Sequence, residues 1–424
     1  MSQSDFARQV VVAFEEEIVP AFEDLLILSK KVSVRPVDDK TMERSGDVIW
    51  RPMPYIAVSE DGSDATGHFK GLTDLVVPAT LGFRKHVAKE MDELEVRDDL
   101  RQHRFGKAAA ERLAADVNMA VVDAICNQGT LIATKSTAAA GFEDPADVDS
   151  VLNRNGIPQM GRQIAYSTKD YNGLAKNLAD RGTMTSKPTT AYERALIGEN
   201  VSGFVAHKLD YANICNDAAA TGITMDTRSS ASNYHVPKAK SVATTGEVSN
   251  FDNRRQRVTV NSTTSVAAGD WFTIAGIYEV HKANKRNTGE LKTFRVISVD
   301  DSTHMTISPP IISNQGGSQA EKEYQNCVVP TAASNAALVW LNTTAKPINP
   351  FWVEGAVELL PARVAVSEGA GLKISRATTE QGIELVMTES VNHATLKTWY
   401  RWDIFFGVAV LQPEMVGGQI FSQT

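Results

Sequence analysis

Residues 98 to 129 carry an apolar stripe that decides what kind of molecule this chain can build. Phe105, Ala109, Leu113, Val117, Ala120, Val121, Ala124 and Ile125 keep one face of a helix apolar. Asp98 and Asp99 suit its positive N-terminal end, and Gly129 supplies a stop. About 30 residues rising 1.5 Å each give a rod of roughly 45 Å. Such a rod is long for a compact enzyme domain and natural for an elongated spine. The chain has 424 residues, more than one core usually supports, so two or three domains are expected.

The flanking segments differ in character. Residues 6 to 26 predict an amphipathic helix, with Phe6, Val10, Phe14, Ile18, Phe22 and Leu26 at every fourth position and Pro20 kinking or interrupting it. Glu15, Glu16, Glu17, Glu23 and Asp24 charge its remaining surface. Two readings stand: a core-packing helix, or an arm that docks on another chain. Residues 44 to 85 predict a long polar hairpin, with β-prone segments at Val48-Ile49-Trp50 and Leu72 to Val77. An isolated hairpin is marginal in water, so this one needs another surface to lie on.

Residues 145 to 222 read as mixed α/β, with helical signals at 145 to 152 and 168 to 178. Residues 223 to 345 then turn to short alternating strands, at 257 to 260, 270 to 274, 292 to 299 and 304 to 308, with a turn at Asp300-Asp301-Ser302. This predicts an inserted all-β module, a small barrel. After Asn349-Pro-Phe-Trp352 the α/β character returns, closing with a strand over 399 to 411.

Motifs of catalysis are missing. The sequence holds no GxxxxGK[ST], GxGxxG, GxSxG or HExxH, and its eight histidines form no i, i+4 pair. The pairs Asp38-Asp39, Asp98-Asp99 and Asp300-Asp301 are poor dyads, because neighbouring side chains diverge on helix and strand alike. Caps or solvated turns account for each. Cys126, Cys215 and Cys327 are odd in number and widely spaced, which predicts buried free thiols. No catalytic, cofactor-binding or metal-binding residue is expected. No apolar run reaches the roughly 18 to 20 residues of a membrane helix, and the N-terminus lacks a secretory pattern, so a cytoplasmic origin without membrane contact is expected. The net charge of −8 disfavours tight nonspecific DNA binding. Arg254, Arg255 and Arg257 form the densest basic cluster, with only Phe251 near to stack on a base. An ion-paired loop or a protein contact suits it better.

Several spellings fall in one order along the chain. They are Arg44-Ser-x-x-x-Ile-Trp-x-Pro52, Asn127-Gln-Gly-Thr-Leu-Ile132, Asp170-Tyr171, Val201-x-Gly-Phe204, Thr221-Gly-Ile-Thr224, Asp252-Asn-Arg254 and Phe351-Trp352. The most specific are Gly-Asp-x-Phe-x-Ile-Ala-Gly over 269 to 276 and Asp-x-Thr-His-x-x-Ile-Ser-Pro ending at Pro309. With them, essentially the whole chain resembles the coat proteins of short-tailed, lambda-related enterobacterial phages. These have the Hong Kong ninety-seven type capsid fold, an α+β fold, with an inserted β-barrel domain.

The resemblance implies a part for each segment. Residues 1–35 would be the N-arm helix. Residues 36–132 would form the peripheral domain, with the E-loop hairpin at 50–78 and the spine helix at 98–129. The axial domain would take 133–222 and 346–375, the barrel 223–345, and 376–424 would return to the peripheral domain. Implied partners are further copies, as hexamers and pentamers of an icosahedral shell of triangulation number seven. A scaffolding protein, a portal protein at one vertex and weakly touched double-stranded DNA complete the set. Joined to this, the acidic helix points to Glu15, Glu16 and Glu17 as the scaffold contact. Trp50, Asp61, Asp64 and Lys70 are the candidate intersubunit contacts of the hairpin. An outward loop near 242 to 255, with fewer acidic residues than in relatives, would meet a neighbouring capsomer through Glu247, Asp252, Arg254 and Arg255. The alternatives are a phage tail, decoration or surface-binding structural protein and, further off, an enzyme with distant carboxylates.

Overall fold

The computed structural model describes residues 18–37, 48–57, 59, 62–64, 66, 69, 71, 73–92, 99–180, 200–225, 234–329, 335–366, 373–392 and 394–423. The chain divides into two compact units: residues 1–49, 78–124 and 357–409, and residues 50–77, 125–356 and 410–424.

The first unit is built on the strand Lys397–Val410, which pairs with Glu384–Asn392 on one side and Phe83–Met91 on the other. Lys373–Thr378 extends the sheet beyond Glu384–Asn392, and Val357–Pro361 carries the short parallel strand Ser33–Val34. Period-2 alternation sorts the faces. Thr398, Tyr400, Trp402 and Ile404 are buried, whereas Trp399 and Arg401 are exposed. Trp402 receives the edge of Phe105, from the helix Asp99–Gln128, at 5.1 Å, and Phe406 stacks on Phe83 at 5.2 Å. The bounds of that helix match the apolar stripe. A short helix, Val19–Leu25, crosses it so closely that a Cβ on Gly106 would lie 2.3 Å from Ile18 Cδ1. Pro20 occupies its first turn, where a missing N–H breaks no helical bond. Ile18, Phe22 and Leu26 are buried, so this end of the apolar stripe is core of its own chain.

In the second unit a six-stranded sheet runs in the order Leu131–Thr134, Val416–Ile420, Asn349–Val353, Arg162–Ser167, Phe204–Leu209, Asn200–Val201. Arg162–Ser167 is buried at every position, as a strand covered on both faces must be. The helices Glu143–Arg154 and Thr168–Asp180 supply Val148, Leu152, Tyr171 and Leu174 to the core beside it. Gly129 and Gly417 are required by close approach. A Cβ at Gly417 would lie 2.3 Å from Leu131 O, and one at Gly129 would lie 3.0 Å from Gly417 Cα.

The inserted module is a nearly closed barrel. Its order is Gln256–Thr259, His304–Ser308, Asn287–Val299, Trp271–Val280, Ala336–Trp340, Thr224–Met225, with Cys327–Val328 also on Trp271–Val280. A bridge between Met225 and Val260 brings the ends of that order together. Val258, Val260, Phe272, Ile274, Phe294, Val296 and Ile307, which alternate along these strands, all lie in one core cluster. A short helix, Gln319–Tyr324, interrupts the β pattern behind a capping box formed by Ser318 and Glu321.

The structure redraws several expected boundaries. Residues 346–375 do not stay together, because Asn349–Val353 joins the second unit's sheet and Val357–Pro361 the first unit's. Residues 376–424 divide likewise, with Val416–Ile420 lying between Leu131–Thr134 and Asn349–Val353. The barrel core begins before residue 223, at Ala220. The strand Phe83–Met91 was not foreseen, since Arg84, Lys85, His86, Lys89 and Glu90 leave it mostly exposed and without an apolar period.

Candidate interaction surfaces

The hairpin begins as expected, with Val48–Pro52 paired to Val76–Thr80 and Met53 N donating to Leu75 O at 2.8 Å. Its base lies on a surface of the same chain. Leu75 packs with Ile312 and Tyr324, and Met53 and Ile56 join them. The Tyr324 hydroxyl donates to Thr73 O at 3.2 Å, and the Tyr55 hydroxyl donates to Asp74 Oδ1 at 2.6 Å. Among the candidate contacts, Trp50 is 37% exposed. Asp64 is exposed and accepts from Thr66 N at 2.9 Å, and the Thr66 hydroxyl together with that N–H holds its carboxyl below its ordinary value. Asp61 and Lys70 lie outside the described residues, as do Glu15, Glu16 and Glu17.

A second ribbon pairs Lys240–Val242 with Val248–Asn250 through a tight turn at Gly246, whose φ of +84° suits glycine. Val242 and Val248 face each other across it at 67% and 57% exposure. Its root is fixed by Asn253, which accepts from Lys238 N and donates to Lys238 O and Phe251 O. His235 Nε2 meets Asn253 Oδ1 at 3.0 Å, and the imidazole stacks on Phe251. Here two candidate contacts change role. Arg254 forks onto Asp252 through Nε and Nη2, at 3.0 and 2.9 Å, and its Nη1 donates to Val410 O at 2.6 Å. Arg254 is 7% exposed and its ion pair with the half-buried Asp252 ties the root of the ribbon internally. Glu247 and Arg255 remain exposed. Arg257 is ion-paired to Asp300 and Asp301 at 3.3 and 2.8 Å, so the basic cluster is spread over three different environments.

Among the described residues no three His, Cys, Asp or Glu side chains cluster as metal ligands, and no helix is long and apolar enough to cross a membrane. The three cysteines are buried thiols outside any disulfide, and burial pushes the Cys327 thiol up to about 12. Asp301 accepts from Thr303 N at 2.8 Å and contacts His304, which makes the acidic pair a turn cap.

Two polar groupings, one buried and one partly buried, follow no period in the sequence. Arg295 is 3% exposed although it follows the inward Phe294, and Asn342 ties the barrel neck by accepting from Trp271 N and donating to Asp270 Oδ1 and Asn216 O. The other is a group of three lysines, Lys282, Lys285 and Lys292, around Glu414. The available signal was charge inside alternating strands, most plainly Lys292 and Arg295 in 292 to 299.

The family described as P22 coat protein, gene protein 5, matches residues 1–422. Among solved structures, the chain is similar to the CUS-3 coat protein I-domain at 31% identity, over 29% of this chain and 99% of that one, with a TM-score of 0.22. It is also similar to a chain of Mycobacterium phage Che8 at 11% identity, over 93% and 90% of the two chains, with a TM-score of 0.41. The capsid of the cyanophage P-SCSP1u matches at 12% identity, over 94% and 88%, with a TM-score of 0.42. The family match decides for the coat reading over the tail, decoration and enzyme alternatives, since a coat protein builds a shell and catalyses no reaction. The chain belongs to the P22 coat protein family and is a phage major capsid protein, a structural subunit of an icosahedral shell.

Proposed function

We propose that this coat protein serves a short-tailed, lambda-related phage and assembles in the host cytoplasm as hexamers and pentamers around a scaffolding protein. A portal protein would occupy one vertex, and DNA would later fill the shell. The observation that carries this reading is the family match along residues 1–422, which spans the spine helix and the inserted barrel alike. The net charge of −8 suits a container that touches DNA weakly, because little is gained from counterion release.

Within that reading the hairpin of 50–78 acts as the E-loop, with Trp50, Asp61, Asp64 and Lys70 toward a neighbouring copy. The exposed ribbon at 240–250 meets an adjacent capsomer. Glu247 and Arg255 are its charged contacts, and the exposed Val242 and Val248 add apolar area. The segment of Glu15, Glu16 and Glu17 holds the scaffold. Exposed ion pairs are worth roughly 0.2 to 1 kcal/mol each, which suits a partner that must leave.

Co-expression with the phage's scaffolding protein, followed by electron microscopy, tests this. Closed, uniform shells are expected with the scaffold and irregular assemblies without it. Replacing Glu15, Glu16 and Glu17 together by Gln should lower the scaffold content of the shells while the subunit stays folded. Uniform closed shells formed without any scaffold would overturn the assembly route, and unchanged scaffold content would remove the three glutamates from it.

A further inference from the structure

A cavity of about 80 Å³ lies in the second unit, where the hairpin base, the barrel and residues 412 to 415 meet. Its apolar lining includes Met53, Leu75, Pro310 and Ile312. Lys282, Lys285 and Lys292 also line it. Glu414 is the carboxylate that acts on all three ammoniums, and it accepts from Lys292 Nζ at 2.7 Å. Glu279 also acts on Lys292, yet its own ion pair is with Arg154. Lys282 Nζ donates to Gln412 Oε1 at 3.0 Å, and Lys285 Nζ donates to Gln325 O at 3.0 Å. Both of those acceptors are neutral.

Two of three clustered ammoniums are thus solvated by neutral oxygens in a partly buried site. Like charges in such a place repel strongly, because low local polarisability magnifies the interaction. An ammonium has three N–H donors, so Lys282 and Lys285 keep donor capacity beyond these single oxygen acceptors. Burial, with Lys282 and Lys292 alongside and Glu414 opposing, brings the Lys285 ammonium down to about 8. Lys292 moves the other way: burial opposes its charge, but Glu414, Glu279 and Cys327 together raise it. The arrangement has one matched pair and two surplus positive charges beside an open volume.

We propose that this cavity binds a small oxyanion of the phosphate class, held by Lys282 and Lys285 with Lys292 and Glu414 as the fixed pair behind it. The apolar lining and the small volume select a compact tetrahedral anion rather than a polymer backbone. Such an anion ties the hairpin base to the barrel and to residues 412 to 415 through charge-assisted hydrogen bonds.

The test is calorimetric titration of the full-length subunit with inorganic phosphate at pH 7, at constant ionic strength held with chloride. Saturable binding to one site is expected, weakened tenfold or more in the variant Lys282→Gln/Lys285→Gln and retained in Lys282→Arg. Sulfate, whose charge is constant between pH 7 and 9, gives a second arm on the unaltered protein. Its affinity should fall through about pH 8 as Lys285 loses its proton, and this arm stands even if a variant fails to fold. No saturable phosphate binding, equal affinity in the folded double variant, or a sulfate affinity flat from pH 7 to 9 would each overturn the proposal. Competition by a short DNA oligonucleotide for the same lysines would replace the small anion with a nucleic-acid contact, and so overturn it too.

Discussion

The guanidinium of Arg295 lies 3.8 Å from the centre of the Trp271 ring, on the side of its strand opposite Phe294 and Val296. Its Nη1 donates to the carbonyls of Cys126 and Gly129 at the end of the spine helix. Those carbonyls have no intrahelical partner and carry the negative end of the helix dipole. Burial brings the Arg295 guanidinium down to about 10, so it stays charged at neutral pH. A helix end is thereby fastened to the outer face of the barrel by a buried cation.

Arg295→Ala should cost about 3 kcal/mol, from the lost charged hydrogen bonds and the lost ring contact together. Arg295→Lys keeps the charge without the planar fork and should recover less than half. Denaturant unfolding of the three proteins checks this. Equal stability of Arg295→Ala and the unaltered chain would remove the clamp.

Leu75→Ala should free the hairpin without loosening the barrel. Leu75 packs in a small satellite cluster with Ile312 and Tyr324, so a loss near the low end of the usual 2 to 5 kcal/mol, about 2, is expected. Hydrogen exchange should accelerate between Met53 and Val76, where the Met53 N–H bonds Leu75 O, and stay slow in Phe272 and Phe294. Unchanged protection at Met53 would show that the base is held by something else.

The barrel should fold alone if its neck is included. A fragment of residues 216–345 retains Ala220 and Asn216, the acceptor of Asn342, both of which the narrower span from residue 223 cuts away. A cooperative β-type melt is expected, and Phe294→Ala should abolish it, since Phe294 is fully buried in the single core. A coil spectrum for the longer fragment would contradict an autonomous core.

Acid should loosen the root of the 240–250 ribbon. Burial holds the His235 imidazole below its ordinary value, with the Asn253 contact opposing. The unfolded chain therefore takes up the proton first, and stability rises with pH. The contribution is complete above about pH 6.5 and is lost as pH falls from there through the folded value. Between pH 7.5 and 5.5 exchange at Lys238 and Phe251 should quicken, while His235→Phe should show no such dependence. A ribbon equally protected at both values would exclude His235 as the cause.

Local order made much of this protein legible in its residues. The 30-residue helix Asp99–Gln128 follows from an apolar stripe, and the barrel core from period-2 alternation of seven named positions. Both are local periodicities, set by backbone geometry and by which face must avoid water. The family could be read because short spellings recur in order over the whole chain. Tertiary structure alone decided where Val416–Ile420 inserts, that Phe83–Met91 is a strand, and that Arg254 turns inward to Asp252 and Val410. It alone set Arg295 against Cys126, 169 residues away, and gathered three lysines about Glu414. Partners so distant leave no period in the sequence. A charged side chain is stable inside only when the fold brings its counter-group or a helix end to it, and that meeting is a property of the packed chain.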